Sequence, residues 1–404
     1  MQRRNRRQRH RASAVNGALF ALALALVACG GGDGGNGSDA AVAPADAASQ
    51  ADAGPQIDEW EVLLEQREYN YTAALRTASL RLVGDLPTLA QIKFVDDGAD
   101  LQEQRLAYES LIRSMLNDPR FVQQVFKFWR DSFRMGDDPV LDTAPAFAAQ
   151  LTVEERPFTM LLTAVTDNCP TFDPATSTFT PATCDTGAPA EAGVLTNRGV
   201  QRHFFSNLGF RRVRWLQETF DCTAFPAEIS DTPQNVGGPA LYTGLWPYEP
   251  LAGADNGGRV DFRDVDNINC GNCHLTINHI APLVGKFDAN GTYMADGYGV
   301  PLPTGEPAEY TDWLITGEGT GWRAGIYAAD LPALGQAMAN DPEVLECMVA
   351  RVWNWGFGHG DIVDTLSVVP SETIAQQVSD FQQNGYNMRE LIYQIFTSED
   401  FTRY

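Results

Sequence analysis

The 404-residue chain lacks several things, and each absence excludes a class of protein. No stretch reaches the ~18 uninterrupted apolar residues of a membrane span, so no transmembrane helix is expected. Positive charge is short as well: 29 Lys and Arg stand against 52 Asp and Glu, a formal charge of −23. A surface this acidic repels phosphate backbones, which argues against any nucleic-acid partner. Strand periodicity is scarce and no internal repeat stands out, so the prevailing 3.6-residue spacing predicts a mainly α, multi-helical protein. Histidine is nearly absent, with five in all. What the chain does have is a hydrophobic content of 44%, enough for one large core or two ordinary domains.

The first eleven residues hold six arginines and no acid, and the apolar run 18–28 follows. That order is the n-region and h-region of a secretory signal peptide, about half the length of a membrane span. It ends at Leu26-Val27-Ala28-Cys29, which looks like the lipobox of bacterial lipoproteins, with Cys29 as the residue that takes the lipid. Residues 30–55 are nearly all Gly, Ala, Asp, Ser and Pro with no aromatic, too polar to fold. As a flexible leash their reach is about 25 to 30 Å. Losing the six arginines of the signal peptide takes the formal charge from −23 to −29, which favours small basic partners or cations. The expected address is the bacterial envelope, facing periplasm or cell surface, held by lipid alone. Gly30 stands where an inner-membrane retention signal resembles Asp, so the outer membrane is preferred.

Seven cysteines fall in an oxidising compartment if the chain is exported. Cys29 goes to lipid and Cys270 and Cys273 to the motif below, which leaves Cys169, Cys184, Cys222 and Cys347. Cys169 and Cys184 bracket a Pro/Thr-rich excursion, so a local bridge is the natural pairing, with Cys222 then joined to Cys347. Other pairings satisfy the same count.

Cys270-Gly271-Asn272-Cys273-His274 carries the chemistry. Attachment of haem c needs two thiols to add across the vinyl groups, and two intervening residues let one helical turn present both sulfurs to one porphyrin edge. The histidine that follows then meets the iron as an axial ligand. Zinc would want a second Cys or His pair at matching spacing, which is missing. A thioredoxin-like pair would want a strand before it and a helix after it, also missing. For the other axial position, Met294 in the loop 291–297 is favoured, with a five-coordinate iron as the alternative. His279 is too close in sequence to His274 to pass round the porphyrin edge; it should bond near the haem or lie on the surface. His203 and His359 read as surface residues, and Met338 and Met348 as core. Two oxygens in the turn Phe287-Asp288-Ala289-Asn290-Gly291 are too few for calcium.

Helical spacing is expected over residues 58–81, 101–116, from Pro119 through Phe133, over 146–166 with an interruption at Pro157, and over 200–220, 333–355 and 372–396. The aromatic stripe Phe121, Phe128, Trp129 and Phe133 reads as core. Residues 223–266 are rich in Pro, Gly and Asp and read as irregular loop.

Three groups of residues resemble a family. Gly193-Val194-Leu195-Thr196, Arg211-Arg212-Val213-Arg214-Trp215 leading to Cys222, and the haem motif with Phe287-Asp288-Ala289-Asn290-Gly291 are similar to the haem-motif domain of unknown function in planctomycete and myxobacterial cytochrome-like proteins. The stretches 347–357 and 386–401 look like the helical domain that follows it, and 58–168, more loosely, like the one before. The resemblance implies architecture and one covalent haem c, since the family lacks an established activity. Where an Asp-Pro pair is expected after the haem histidine, this chain has Asn278-His279, so a role tied to that carboxylate does not carry over. The expected organisation is a signal peptide 1–28, a linker 29–57, a helical domain 58–168, a disulfide-closed loop 169–192, a cytochrome c-like haem domain 193–325 with long irregular loops, and a helical domain 326–404. The function expected is electron transfer with a redox partner protein, possible alternatives being a haem peroxidase or oxidase with an open distal site and a non-catalytic haem-bearing lipoprotein.

Overall fold

The computed structural model describes residues 63–206, 209–224, 268–300, 314, 317–323, 325–361 and 368–404, with the side chains of residues 268–273 and 275 left out. The expected signal peptide 1–28, Cys29, the expected linker and most of the expected loop 223–266 lie outside the described residues. All described residues belong to the unit spanning 59–404. The fold is mainly α-helical, and among the described residues no helix is long and apolar enough to cross a membrane.

The stretch expected as one helix over 58–81 is divided: residues 63–65 are helical, and α1 (Tyr71–Leu82) starts afresh where the Asn70 side chain accepts from the Ala73 N–H and caps it. Its buried stripe is Tyr71, Ala74, Leu75, Ala78 and Leu82, while Leu80, like Leu63 and Leu64 before the helix, is exposed. Thr88 and Gln91 form a reciprocal capping box that starts α2 (Leu89–Asp96). α3 (Leu101–Leu116) and α4 (Pro119–Phe133) follow, each opened by an aspartate cap, with Pro119 in the first turn of α4. The aromatic face of α4 packs inward: Phe121 and Phe133 are fully buried, and Trp129 Nε1 donates to Thr152 Oγ1 at 3.1 Å on α5 (Thr143–Val153). The one-turn α6 (Met160–Thr163) comes after the break at Pro157.

Between Cys169 and Cys184 the excursion is a small antiparallel hairpin, β1 (Thr171–Asp173) with β2 (Thr178–Thr180), Phe172 opposite Phe179. A short 3-10 turn, Gly193–Thr196, leads to α7 (Arg198–His203). The single helix expected over 200–220 is two helices. α7 ends at His203, and α8 (Phe210–Phe220) starts from Gly209 at φ +70°, where a Cβ would be strained. After α9 (Ile268–Val284) and the hairpin β3 (Gly321–Arg323) and β4 (Ile326–Tyr327), the two predicted C-terminal helices are also each divided. Asp341-Pro342 separates α10 (Leu331–Ala339) from α11 (Pro342–Phe357). Gly385-Tyr386-Asn387 separates α12 (Ser371–Gln383) from α13 (Met388–Thr397), which precedes the terminal turn α14 (Glu399–Thr402). In each case an internal cap was hidden inside one continuous apolar rhythm.

One buried cluster includes Leu75, Ile112, Phe147, Phe220, Ile280, Met348 and Ile395, and so draws on residues of all three expected domains, 58–168, 193–325 and 326–404. The two ends of this unit pair directly: Asn70 N–H donates to Thr402 O at 2.9 Å, and Tyr404 N–H to Glu68 O at 2.9 Å. Two disulfides close loops, Cys169 with Cys184 (Cα–Cα 5.6 Å) and Cys222 with Cys347 (5.4 Å). The second joins the end of α8 to the middle of α11 across 125 residues.

Candidate haem-binding helix

The whole of the Cys-Gly-Asn-Cys-His motif lies on α9, so its spacing can be read as helical geometry. At about 100° per residue, Cys273 and His274 fall within roughly 60° of Cys270 around the axis, on one face and one turn. The side chains of Cys270 and Cys273 lie outside the described residues; His274 is described. It is 8% exposed, and its Nδ1 lies 2.8 Å from Asn278 Oδ1, four residues on and therefore one turn along the same face. An amide oxygen only accepts, so Nδ1 carries the proton and Nε2 is the nitrogen with the lone pair. Burial holds the imidazole pKa below its ordinary value, and the bond to Asn278 opposes that shift without reversing it. A neutral imidazole with a fixed tautomer is what a metal-ligating histidine must be. The Phe210 ring stands edge-on to it, centroids 5.7 Å apart at 79°, so the first residue of α8 packs against His274 of α9.

A buried arginine fixes where α9 ends. Arg212, 1% exposed, makes five hydrogen bonds to main-chain carbonyls: two to Gln201 O of α7, one to Val284 O at 2.9 Å, one to Phe287 O at 2.7 Å and one to Asp288 O at 3.0 Å. Val284 O is one of the carbonyls that the end of a helix leaves without an intrahelical donor, and a cation there also complements the macrodipole. The turn that follows is built as expected: Asp288 Oδ1 accepts from Asn290 N–H and Thr292 N–H, both at 2.8 Å, and Gly291 takes φ +73°. A Cβ on Gly291 would lie 2.5 Å from Arg198 O, so close approach as well as φ requires glycine.

His279 and His203 depart from a surface reading, and His359 keeps to it. His279 is 2% exposed rather than superficial, and its Nε2 is 2.9 Å from Glu318 Oε2, within ion-pair distance but off hydrogen-bond alignment. His203 is half-buried with Nε2 3.1 Å from Arg134 O, and burial lowers its pKa. His359 is exposed just beyond α11. Met294 is 40% exposed in its loop, with its N–H donating to Lys286 O at 2.9 Å, whereas Met338 and Met348 are fully buried in the core. Among the described residues no three or more His, Cys, Asp or Glu side chains gather as a metal site.

The sequence reading named Asn278 and Arg212 without these contacts, and it did not name Phe210. The Asn278 contact could have been found, because position i+4 from a ligand on a helix is the nearest place for a partner. The Arg212–Val284 and Phe210–His274 contacts could not, since they span 72 and 64 residues of chain. The chain matches no family model, no curated protein and no solved structure.

Proposed function

We propose that the protein is an exported monohaem c-type cytochrome lipoprotein that transfers electrons, with haem c held through Cys270 and Cys273 and His274 as an axial ligand of its iron. The observation that carries this reading is the state of His274: buried, neutral, and with its Nδ1 bonded to Asn278 one turn along, beside two cysteines at thioether spacing. When bound, haem c supplies a one-electron couple. The chain's own residues do the rest. Asn278 orients the imidazole and fixes its proton on Nδ1; Phe210 keeps water from one side of the ring; Arg212 holds the far end of α9 against α7. Met294 is carried as the candidate for the other axial position. The resemblance to planctomycete and myxobacterial cytochrome-like proteins belongs to the same proposal. So does lipid attachment at Cys29 in the bacterial envelope, with the linker as leash and a basic redox partner drawn by the acidic surface.

The test is to express the chain in a host with working haem c maturation. Mass spectrometry should find one porphyrin added, retained after denaturation and lost in Cys270→Ser/Cys273→Ser. A low-spin spectrum unreactive to carbon monoxide and peroxide supports electron transfer. No added mass overturns the haem assignment, and a high-spin, peroxide-reactive spectrum transfers the function to a peroxidase or oxidase.

A further inference from the structure

We propose that His279 and Glu318 form a proton site coupled to the electron site, binding a proton when the protein accepts an electron and releasing it when the electron leaves. The inference rests on the haem reading above and adds to it a function carried by this chain's own residues. His279 is 2% exposed and stands five residues beyond His274 on α9, with its Nε2 2.9 Å from Glu318 Oε2. The Glu318 side chain is 24% exposed, so the carboxylate is the wet end of the pair and the imidazole the dry end. Protons from solvent therefore reach the ring by way of the carboxylate. Packing makes the pair: β3 lies against α9, and Glu318, three residues before that strand, is carried to the helix.

Five residues of helix separate His274 from His279 by about 7.5 Å along the axis. An electron delivered to a centre held by His274 removes one unit of positive charge from that region. At an effective dielectric of about 20, a unit charge about 10 to 12 Å away changes proton binding about tenfold, and less positive charge tightens it. The balance is one electron from a one-electron donor protein and a proton from a hydronium ion at the Glu318 end, whose O–H bond breaks as an N–H bond forms at His279 Nε2. Oxidation runs both steps backwards. The other charged groups on the elements packed against α9 are Arg211, Arg212, Arg214 and Glu218 of α8 and Arg323 of β3. Arg212 bonds to main-chain carbonyls, Arg214 pairs with Glu218 at 2.7 Å, Arg211 is exposed, and Arg323 pairs with Asp341 at 3.1 Å and with Asp221 and Glu343. On α9 itself His274 is bonded to Asn278 through Nδ1.

The haem-matured full chain is titrated spectroelectrochemically from about pH 5 to pH 9, and proton release on oxidation is read with a pH-sensitive dye. Tenfold coupling predicts a midpoint potential that falls by about 59 mV in total across one pH window, with about half a proton released per electron at its centre. His279→Gln should lose that step and the proton release with it. Glu318→Gln should move the step to lower pH, because the imidazole then lacks its anionic neighbour; if His279→Gln does not fold, this variant decides alone. A step of the same size and position in the folded variants belongs to other groups, Asp221 or the porphyrin's own carboxylates, and overturns the proposal. So does a flat potential in the parent with porphyrin attached, which leaves the haem reading standing. Absence of porphyrin mass is the separate result that removes the haem reading and this inference together.

Discussion

Replacing Arg212 by methionine keeps most of the stem's volume and removes the cation, so it isolates the clamp at the end of α9. A hydrogen bond from a charged donor contributes about 1.5 to 3 kcal/mol, and Arg212 makes five, to carbonyls of Gln201, Val284, Phe287 and Asp288. The five act as a unit and do not add, and removing the charged member of a buried network costs about 3 to 5 kcal/mol. We take about 4 kcal/mol for Arg212→Met, a fall in Tm of roughly 5 to 6 °C for a folded unit of this size. Arg212→Lys should fall between, because an ammonium keeps the charge but cannot fork across carbonyls on two segments. Urea unfolding followed by far-UV circular dichroism measures both. A loss under about 1 kcal/mol for the methionine variant would mean that water or neighbouring donors satisfy those carbonyls as well, and that the guanidinium does not place α9.

Three further outcomes follow from the same structure. His274→Ala should abolish the low-spin spectrum of haem-matured protein while leaving the covalent porphyrin mass; retention of that spectrum removes His274 as the ligand. Opening Cys222–Cys347 by a double serine variant should cost about 5 kcal/mol in the chain-entropy picture, against about 3 kcal/mol for Cys169–Cys184, because the loops are 125 and 15 residues; equal costs in chemical denaturation contradict that ordering. Burial pushes the Asp221 carboxyl up to about 6, against the pull of the Arg323 guanidinium. The folded state therefore prefers it protonated, and its contribution is fully present below pH 4 and lost as pH rises through about 6. The stability difference between the parent and Asp221→Asn should accordingly fall by roughly 3 kcal/mol across that window, and a flat difference refutes it.

Helix content was legible because this protein buries one apolar stripe per helix, and the stripe survives in sequence: Ile112 and Met115 on α3, Phe121, Val125 and Trp129 on α4. Helix ends were legible only where the cap lay between apolar rhythms, as at Asp118-Pro119. Where the stripe runs on across a cap, as through Asn340-Asp341-Pro342, periodicity reads one helix and the backbone makes two. The motif half of the site was legible because its spacing is one helical turn. The burial of His279 was not, since its neighbour Glu318 lies 39 residues away in a stretch with little periodicity of its own. Nor was the role of Arg212: an arginine followed by Val213 and flanked by other arginines reads as a solvated face until the chain brings carbonyls to it.

The candidate site thus separates into a local part and a long-range part, and the two should fail separately. Orientation of the imidazole is set within α9 by a pair one turn apart, His274 and Asn278, while placement of the helix is set by Arg212, whose partners include Val284, 72 residues along the chain. Asn278→Ala leaves the clamp untouched, so unfolding should change by no more than about 1 kcal/mol, the net worth of one hydrogen bond. The proton on Nδ1 then loses its acceptor, and retention of the axial ligand should suffer by roughly 10- to 100-fold, as for other partners of metal-bound histidines. Imidazole or cyanide competition, followed by the loss of the native low-spin bands of haem-matured protein, reads that change directly. Arg212→Lys should give the converse pattern, a lowered Tm with ligand competition close to the parent's. If both variants shift both readouts together, ligand orientation and helix placement are one cooperative element, and the division of labour argued from these contacts is wrong.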